Sequence, residues 1–330
     1  MRAGVSVSTV SRALNNSGGV SSETKRKVLE IADLNGYITI KKHSSLYLGV
    51  ILPKNPYYFW KEALKGIYDS LGNDKDKDNI NICIRFYSEI MYEKDYEKDI
   101  LHCFDDFDED IQCIIIVPPN LPSVIKILDD ISEKIPIFFL NEKVDIKNSA
   151  YVGIDAYNDG AAFALSCLSV YPENPHLLII NSENQYMSNM RKKGFCDKFL
   201  KLMPDADIVG EIKLNSVKQN TISSNLARSI SKDYNDRFNV VFVAQGMLPQ
   251  VCSALYKLNL HNKVICLGCE NPEQNKKYIE CKLIKGVLIQ DIYRQGYECM
   301  QLAKAYLKTG NFPSGANIYI NSKIHIPQER

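Results

Sequence analysis

An arginine, several small hydroxyls and spaced aliphatic residues stand together near the start of the chain, in Val7-Ser8-Thr9-Val10-Ser11-Arg12-Ala13-Leu14-Asn15. On a helix starting after Ser6, the i, i+4 spacing brings Val7, Ser8, Ser11 and Arg12 to one face, while Val10, Ala13 and Leu14 turn to the other. A guanidinium on such a face can donate two hydrogen bonds to a guanine edge, and Val7 can meet a thymine methyl. Thr9, Ser11 and Asn15 offer donors to phosphate, which fixes register without reading sequence. Thr24, Lys25, Arg26 and Lys27 then gather at the start of a second predicted helix, where backbone N–H groups also favour phosphate. This chemistry is that of a helix lying in a DNA major groove. The same composition suits a plain amphipathic helical hairpin, and the residues alone leave both readings open.

The elements that must position these groups follow from the pattern around them. The turn Asn16-Ser17-Gly18-Gly19 separates the two helices, Ser21 is placed to cap the second, and Gly36 stops it. Residues Ile38 to Ser45 are polar and basic and read as a linker. From Leu46 onward short apolar runs alternate with amphipathic stretches. Strands are expected at Tyr47–Leu52, Ile80–Phe86, Cys113–Val117 and Ile137–Leu140, then in a second cycle from Val152-Gly153-Ile154-Asp155 to Gly286–Gln290. Continuous apolar strands between helices predict parallel sheets covered on both faces. Two such cycles predict an α/β protein of two lobes with a cleft between them, preceded by a small all-α head.

The 330 residues suffice for these units, and 45% hydrophobic with 24% charged is ordinary for a protein with a full core. Net charge is +1, but the first 42 residues carry seven Lys or Arg against three acids. A basic head on a slightly acidic body fits a DNA-reading module joined to a neutral sensor. No signal peptide and no membrane-spanning run is evident, so a cytoplasmic setting with reduced thiols is expected for the ten cysteines. Cys266-Leu-Gly-Cys269 lacks a second pair and reads as a buried strand end, and the histidines show no metal-ligand spacing. Neither a nucleophile elbow nor a phosphate-binding Gly-x-x-x-x-Gly-Lys occurs. No metal, no cofactor and no enzymatic activity are expected.

The stretch Ala3–Asn15, then Val20-Ser21-Ser22-Glu23-Thr24 and Gly36-Tyr37, resembles the helix-turn-helix of the lactose-repressor (LacI/GalR) family. Asn55-Pro56-Tyr57-Tyr58-Phe59 with Gly66, Val152–Asp155 with Gly160, Arg191-x-x-Gly194-Phe195, and Gln290-Asp291 with Gln295-Gly296-Tyr297 are similar to signatures of that family's sensor, which is built like periplasmic sugar-binding proteins. The resemblance implies that Val7 and Ser8 set operator choice, that Arg12 reads a base, and that the chain binds a pseudo-palindromic operator as a homodimer. It also implies a small-molecule effector, a sugar, between the lobes. The pattern departs in three places. Only Met1-Arg2-Ala3 stand where the family has a first helix, so the head is expected to be truncated. The linker is shorter than the family's hinge helix. Gln245-Gly246 and Gly268-Cys269-Glu270-Asn271 replace the family's Asn-Asp and Gly-aromatic-Asp. A sensor of the same family that lacks autonomous DNA binding is therefore the alternative.

Sugars are held by planar polar groups making paired hydrogen bonds and by aromatic faces. The candidates are Tyr58, Phe59, Asp155, Arg191, Gln245, Gln290 and Asp291. Tyr58 and Phe59 also suit a core, Arg191 a solvated helix start, and Asp155 and Asp291 helix caps. Gln290 and Asp291 leave a strand, a favoured ligand position. The expected division is a head over 1–37, a linker over 38–46, a first lobe over 47–154 and 291–317, and a second lobe over 155–290 and 318–330.

Overall fold

Short aliphatic runs such as Cys113–Ile116 and Val240–Val243 have no polar residue to show to water, so each must be covered on both faces. The computed structural model describes residues 5–14, 19–34, 46–55, 57–72, 80–88, 93–107, 110–182, 185–214, 219–235, 237–269, 275–312 and 316–327. Two compact units separate, Met1–Leu46 with Asp78–Asn81, and Tyr47–Lys77 with Ile82–Arg330.

In the smaller unit, α1 (Val7–Leu14) packs with α2 (Ser22–Leu34), and Ala13 and Val28 are buried. Both helices begin in the same way. Ser6 Oγ accepts from the Thr9 N–H at 3.2 Å, and Ser21 Oγ accepts from the Thr24 N–H at 3.3 Å. Each satisfies one of the N–H groups that a helix start leaves open.

The larger unit contains two six-stranded sheets. The first has the order β11-β5-β4-β3-β1-β2, from β1 (Leu46–Pro53), β2 (Ile80–Tyr87), β3 (Cys113–Ile116), β4 (Ile137–Leu140), β5 (Ser149–Gly153) and β11 (Ile318–Tyr319). The second has the order β12-β10-β9-β8-β6-β7, from β6 (His176–Ser182), β7 (Asp207–Leu214), β8 (Val240–Val243), β9 (Ile265–Cys269), β10 (Ile284–Ile289) and β12 (Lys323–His325). The pairings given by register are parallel, except that β12 runs antiparallel to β10. Helices α3 (Tyr57–Leu71), α4 (Glu93–Asp105), α5 (Pro122–Ser132) and α11 (Ile292–Thr309) belong to the first lobe. Helices α6 (Ala156–Ser166), α7 (Tyr186–Leu202), α8 (Gln219–Ser229), α9 (Leu248–Lys257) and α10 (Lys276–Glu280) belong to the second. Ile114, Ile116, Leu128 and Phe139 centre one core, while Val241, Val251 and Cys266 lie on one face of the second sheet and Phe163, Phe199 and Phe242 on the other. There the Phe195 ring stacks on Phe242 with centroids 3.8 Å apart.

The chain crosses between lobes three times: after β5, after β10, and between β11 and β12. The last crossing corrects an expectation. The sequence places residues 318–330 in the second lobe, but Ile318 and Tyr319 pair with Val152 and Gly153 of the first. A continuous extended tail has no local signal for which edge it joins, and here it serves both.

Each lobe also has one very close helix crossing. A Cβ at Gly160 of α6 would lie 2.1 Å from the Arg191 carbonyl oxygen of α7, and one at Gly194 only 1.9 Å from the Tyr157 oxygen. The equivalent crossing of α3 and α11 uses Gly66 and Gly296, whose Cβ atoms would meet the Tyr293 and Ala63 oxygens at 2.0 and 2.2 Å. Only glycine lets the backbones approach so closely. Among the described residues no helix is long and apolar enough to cross a membrane. All ten cysteines are free thiols and most are buried, Cys266 and Cys269 among them.

Candidate functional site

The carboxyl ends of the strands of the two sheets bring polar residues together. β4 is followed by Asn141, which takes a left-handed φ of 66° and is buried. Its side-chain Nδ2 donates to Gln290 Oε1 at 2.8 Å and to Gln295 Oε1 at 2.9 Å, tying the end of β4 to the crossing after β10. The Tyr151 hydroxyl lies 3.2 Å from the Asn141 carbonyl and 3.0 Å from that of Ile154, bracing the first crossing. Gln295 is fully buried, and its Nε2 makes no hydrogen bond.

Glu142 follows. Its Oε2 accepts from the Met187 N–H at 3.3 Å, a bond from the first turn of α7 in the other lobe. Desolvation pushes the Glu142 carboxyl up to about 7, against the opposing pull of the Met187 N–H and the Arg191 guanidinium. Arg191 is itself 4% exposed, and its Nη1 donates to the Ala244 carbonyl at 2.7 Å. Ser188 Oγ stands 2.6 Å from Asn181 Oδ1 and 3.1 Å from the same Ala244 oxygen. Gln245, one residue on, is 6% exposed with its Nε2 unpaired. Asn181 in turn donates to Asn189 Oδ1 at 2.7 Å, and Lys192 pairs with Glu211 at 2.9 Å behind it. A buried polar group is costly unless it is paired, so a dense network of this kind holds its members in fixed orientations.

Arg191 of α7 therefore reaches the end of β8 at Ala244, next to Gln245, and Gln290 after β10 is tied through Asn141 to the end of β4. The glycine crossing of α6 and α7 sets how deep Arg191 sits, because Gly194 is one turn further along the same helix. Asp155 and Asp291 occupy the first two crossings as helix caps. Asp155 Oδ1 accepts from the Asn158 N–H at 3.1 Å and Asp291 Oδ1 from the Arg294 N–H at 3.0 Å. Asp155 is exposed and its second oxygen accepts from Asn158 Nδ2. Tyr58 and Phe59 sit half-buried in the first turn of α3, with Phe59 edge-on to Trp60 at 4.8 Å. The third crossing is fastened by a hydrogen bond between Ser322 and Asp159, whose carboxyl is raised by desolvation and lowered by Ser322 and Arg191.

Asn141, Glu142, Ser188 and Asn181 escaped the sequence reading. For Asn141 and Glu142 a signal existed, since they follow an apolar strand just as Gln290 does. Ser188 and Asn181 carry no comparable local mark. Among the described residues no group of His, Cys, Asp and Glu is placed to hold a metal ion.

In the smaller unit Arg12 is exposed on α1, and its guanidinium reaches over Gly19, whose φ is 90°. Val7, Ser8 and Ser11 lie on the same helix. Thr9 and Thr24 are half-buried, and their hydroxyls bond to the capping serines at 2.8 Å in each case. Lys25 is half-buried at the start of α2. Asn15 and the expected linker over 38–45 lie outside the described residues.

Against known families, residues 48–311 match the periplasmic binding protein domain and residues 1–39 match bacterial regulatory proteins of the lacI family. The HTH-type transcriptional regulator RegA of Clostridium acetobutylicum is 26% identical over 166 residues, 48% of this chain and 46% of its own. The chain thus matches about half the length of that relative. Among solved structures, GanP, a glucose-galactose binding protein from Geobacillus stearothermophilus, has a TM-score of 0.72 at 16% identity, over 86% of this chain and 98% of that one. A protein from Bacteroides fragilis assigned as a LacI transcriptional regulator has the same TM-score and identity, over 86% of this chain and 97% of its own. At 16% identity the likeness is one of fold.

Proposed function

Because the chain belongs to the periplasmic binding protein domain family and joins that domain to a lacI-family segment, we propose that it is a sequence-specific DNA-binding transcriptional regulator controlled by a small molecule. The observation that carries this reading is the order of the two matches in one chain, a reading segment at 1–39 and a ligand-binding domain at 48–311. It is a family of regulators and binding proteins rather than enzymes. The effector is a sugar or a sugar derivative, taken up between the lobes by Arg191, Gln245 and Gln290, with Tyr58, Phe59, Asp155 and Asp291 around the cleft. The Gln290 amide and the guanidinium are held by their neighbours and Gln245 Nε2 is left unpaired, a set that suits the paired hydrogen bonds that sugar hydroxyls need. The effector shifts the balance between lobe arrangements, and the DNA-reading helices of a cytoplasmic homodimer follow on a pseudo-palindromic operator.

The head would read bases through Val7, Ser8 and Arg12, with Thr9, Ser11, Asn15, Thr24 and Lys25 positioning the backbone of the duplex. Selection of bound fragments from a random duplex pool, followed by anisotropy titration at two salt concentrations, tests this. Arg12→Ala is expected to lose about 1–3 kcal/mol on the selected sequence and to relax preference at one base. Binding that is equally tight to every duplex would overturn the reading. A thermal-shift screen with monosaccharides, D-galactose and D-glucose first, tests the effector half. An Arg191→Ala variant that kept the full shift would remove that residue from the site.

A further inference from the structure

A buried guanidinium needs an opposite charge, and the first lobe supplies one to Arg191. Arg191 of α7 is 4% exposed, and its Nη1 donates to a neutral partner, the Ala244 carbonyl, at 2.7 Å. Burying a charge on neutral partners alone is costly, so either an acid of the protein or an anionic ligand must meet it. Met187 stands one turn before Arg191, and the i, i+4 spacing puts both on one face of α7. The Met187 N–H donates to Glu142 Oε2 at 3.3 Å, which brings the carboxylate of the first lobe to that face. Gln185 at the start of α7 gives the helix no side-chain cap, and Glu142 takes that place from the other lobe. Glu142 is half-buried, and the N–H donor, the helix start and the guanidinium all favour its ionised form. Asp159, on the helix that crosses α7 at Gly160, is a second carboxylate acting with Arg191. The neighbouring lysines are engaged elsewhere, Lys192 with Glu211 at 2.9 Å and Lys143 over the Tyr151 ring at 6.0 Å.

We propose that Glu142 is the specificity-determining residue that reserves the cleft for uncharged sugars, by balancing Arg191 from the opposite lobe, so that sugar acids and sugar phosphates are excluded. The proposal rests on the reading of the cleft as the effector site and narrows it. An anionic ligand would have to displace Glu142 from the guanidinium or lie beside it as a like charge. Asp155 and Asp291, the caps at the first two crossings, add negative charge around the same cleft. At a few ångströms and a partly screened dielectric, one such like charge lowers affinity by about tenfold or more. An uncharged sugar meets neither obstacle. Its hydroxyls donate to the carboxylate and accept from the guanidinium while the two remain together. Glu142→Gln keeps the shape and an oxygen to accept from Met187, but it takes away one of the carboxylates that balance Arg191. The variant is then expected to draw anions that the wild type rejects.

Calorimetry and thermal shift on the whole chain test this with matched pairs, D-galactose against D-galacturonate and D-glucose against D-glucuronate, and with sodium sulfate as a sugar-free anion. Work at about pH 8 keeps the carboxyl ionised, since burial raises it only to about 7. The wild type is expected to prefer the uncharged member of whichever pair binds, and to respond to sulfate no more than to sodium chloride at equal ionic strength. In E142Q the ratio of uncharged to acidic sugar should fall by about tenfold, with a sulfate-dependent rise in the thermal midpoint. Glu142→Asp, which keeps the charge, should retain the wild-type ordering, which a purely structural role for the side chain would not predict. A wild type that binds the uronate more tightly overturns the proposal, and that result needs no variant to fold. An E142Q protein with the wild-type ratio and the wild-type response to sulfate overturns it as well. If none of the sugars binds either protein while sulfate stabilises E142Q alone, the sugar reading of the cleft fails and the charge balance stands.

Discussion

Replacing Gly194 with alanine sets two effects against each other. In an ordinary helix interior, Gly→Ala stabilises by about 1 kcal/mol, because alanine loses less backbone freedom on folding. At this position the new Cβ would stand 1.9 Å from the Tyr157 carbonyl oxygen of α6, well inside the 3.0 Å that real Cβ contacts respect. The obstacle is backbone, so no side-chain rotation relieves it. The helices must separate by about 1 Å, opening a core in which Phe195 stacks on Phe242 at 3.8 Å. Overpacking of this kind costs roughly 1–3 kcal/mol, and a backbone clash belongs at the upper end. Subtracting the helix-propensity gain leaves a net loss of about 2 kcal/mol. Urea unfolding followed by far-ultraviolet circular dichroism measures it, as a lower midpoint with an unchanged slope. Gly160→Ala should behave alike, since its Cβ would meet the Arg191 oxygen at 2.1 Å. The double variant should lose less than the two single losses combined, because one separation accommodates both. Gly310→Ala is the control. Its φ is 71° with nothing within 4 Å of the added carbon, so only the backbone strain of about 1 kcal/mol applies. A Gly194→Ala protein as stable as the wild type, or more stable, would refute the close-crossing argument.

Asp155→Ala and Asp291→Ala should each destabilise by about 1 kcal/mol through the lost helix cap, read as a lower thermal midpoint, and Asp→Asn should recover most of it. Phe195→Ala, which removes the ring stacked on Phe242, should cost about 3–5 kcal/mol in the same unfolding experiment.

The α/β alternation was legible because continuous apolar runs such as Ile137–Leu140 have few other ways to fold, and the glycine and arginine of Arg191-x-x-Gly194-Phe195 stand out against it. β7 and α8 were not anticipated. β7 is the edge strand Asp207–Leu214, exposed or half-buried along its length, and its apolar and charged residues mix without a run. α8, Gln219–Ser229, is rich in Ser and Asn, which favour caps and turns over helix interiors. The partners of the cleft residues were hidden for a different reason. Glu142 and Met187, or Asn141 and Gln290, are brought together by the crossings and not by any local period, so single-chain patterning cannot pair them. The roles of Asp155 and Asp291 illustrate the same limit. A carboxylate at a strand end serves a helix cap or a ligand equally well by type, and here both bond the third N–H of the following helix.

The three crossings bear on how the protein is made. The first sheet is short of one strand until Ile318–Tyr319 has been synthesised, and α11, which packs against β3, β4 and β5, arrives only after the second lobe's parallel strands. During translation at roughly 5–20 residues per second, the growing chain spends tens of seconds with the first lobe's sheet uncovered where α11 will lie. The second lobe in turn waits for Lys323–His325 to cover the edge of β10. Neither lobe can finish ahead of the other. A nascent chain stalled before Ile318 would expose two unfinished sheets at once, which makes the synthesis of residues 292–325 the stage at which a chaperone matters most.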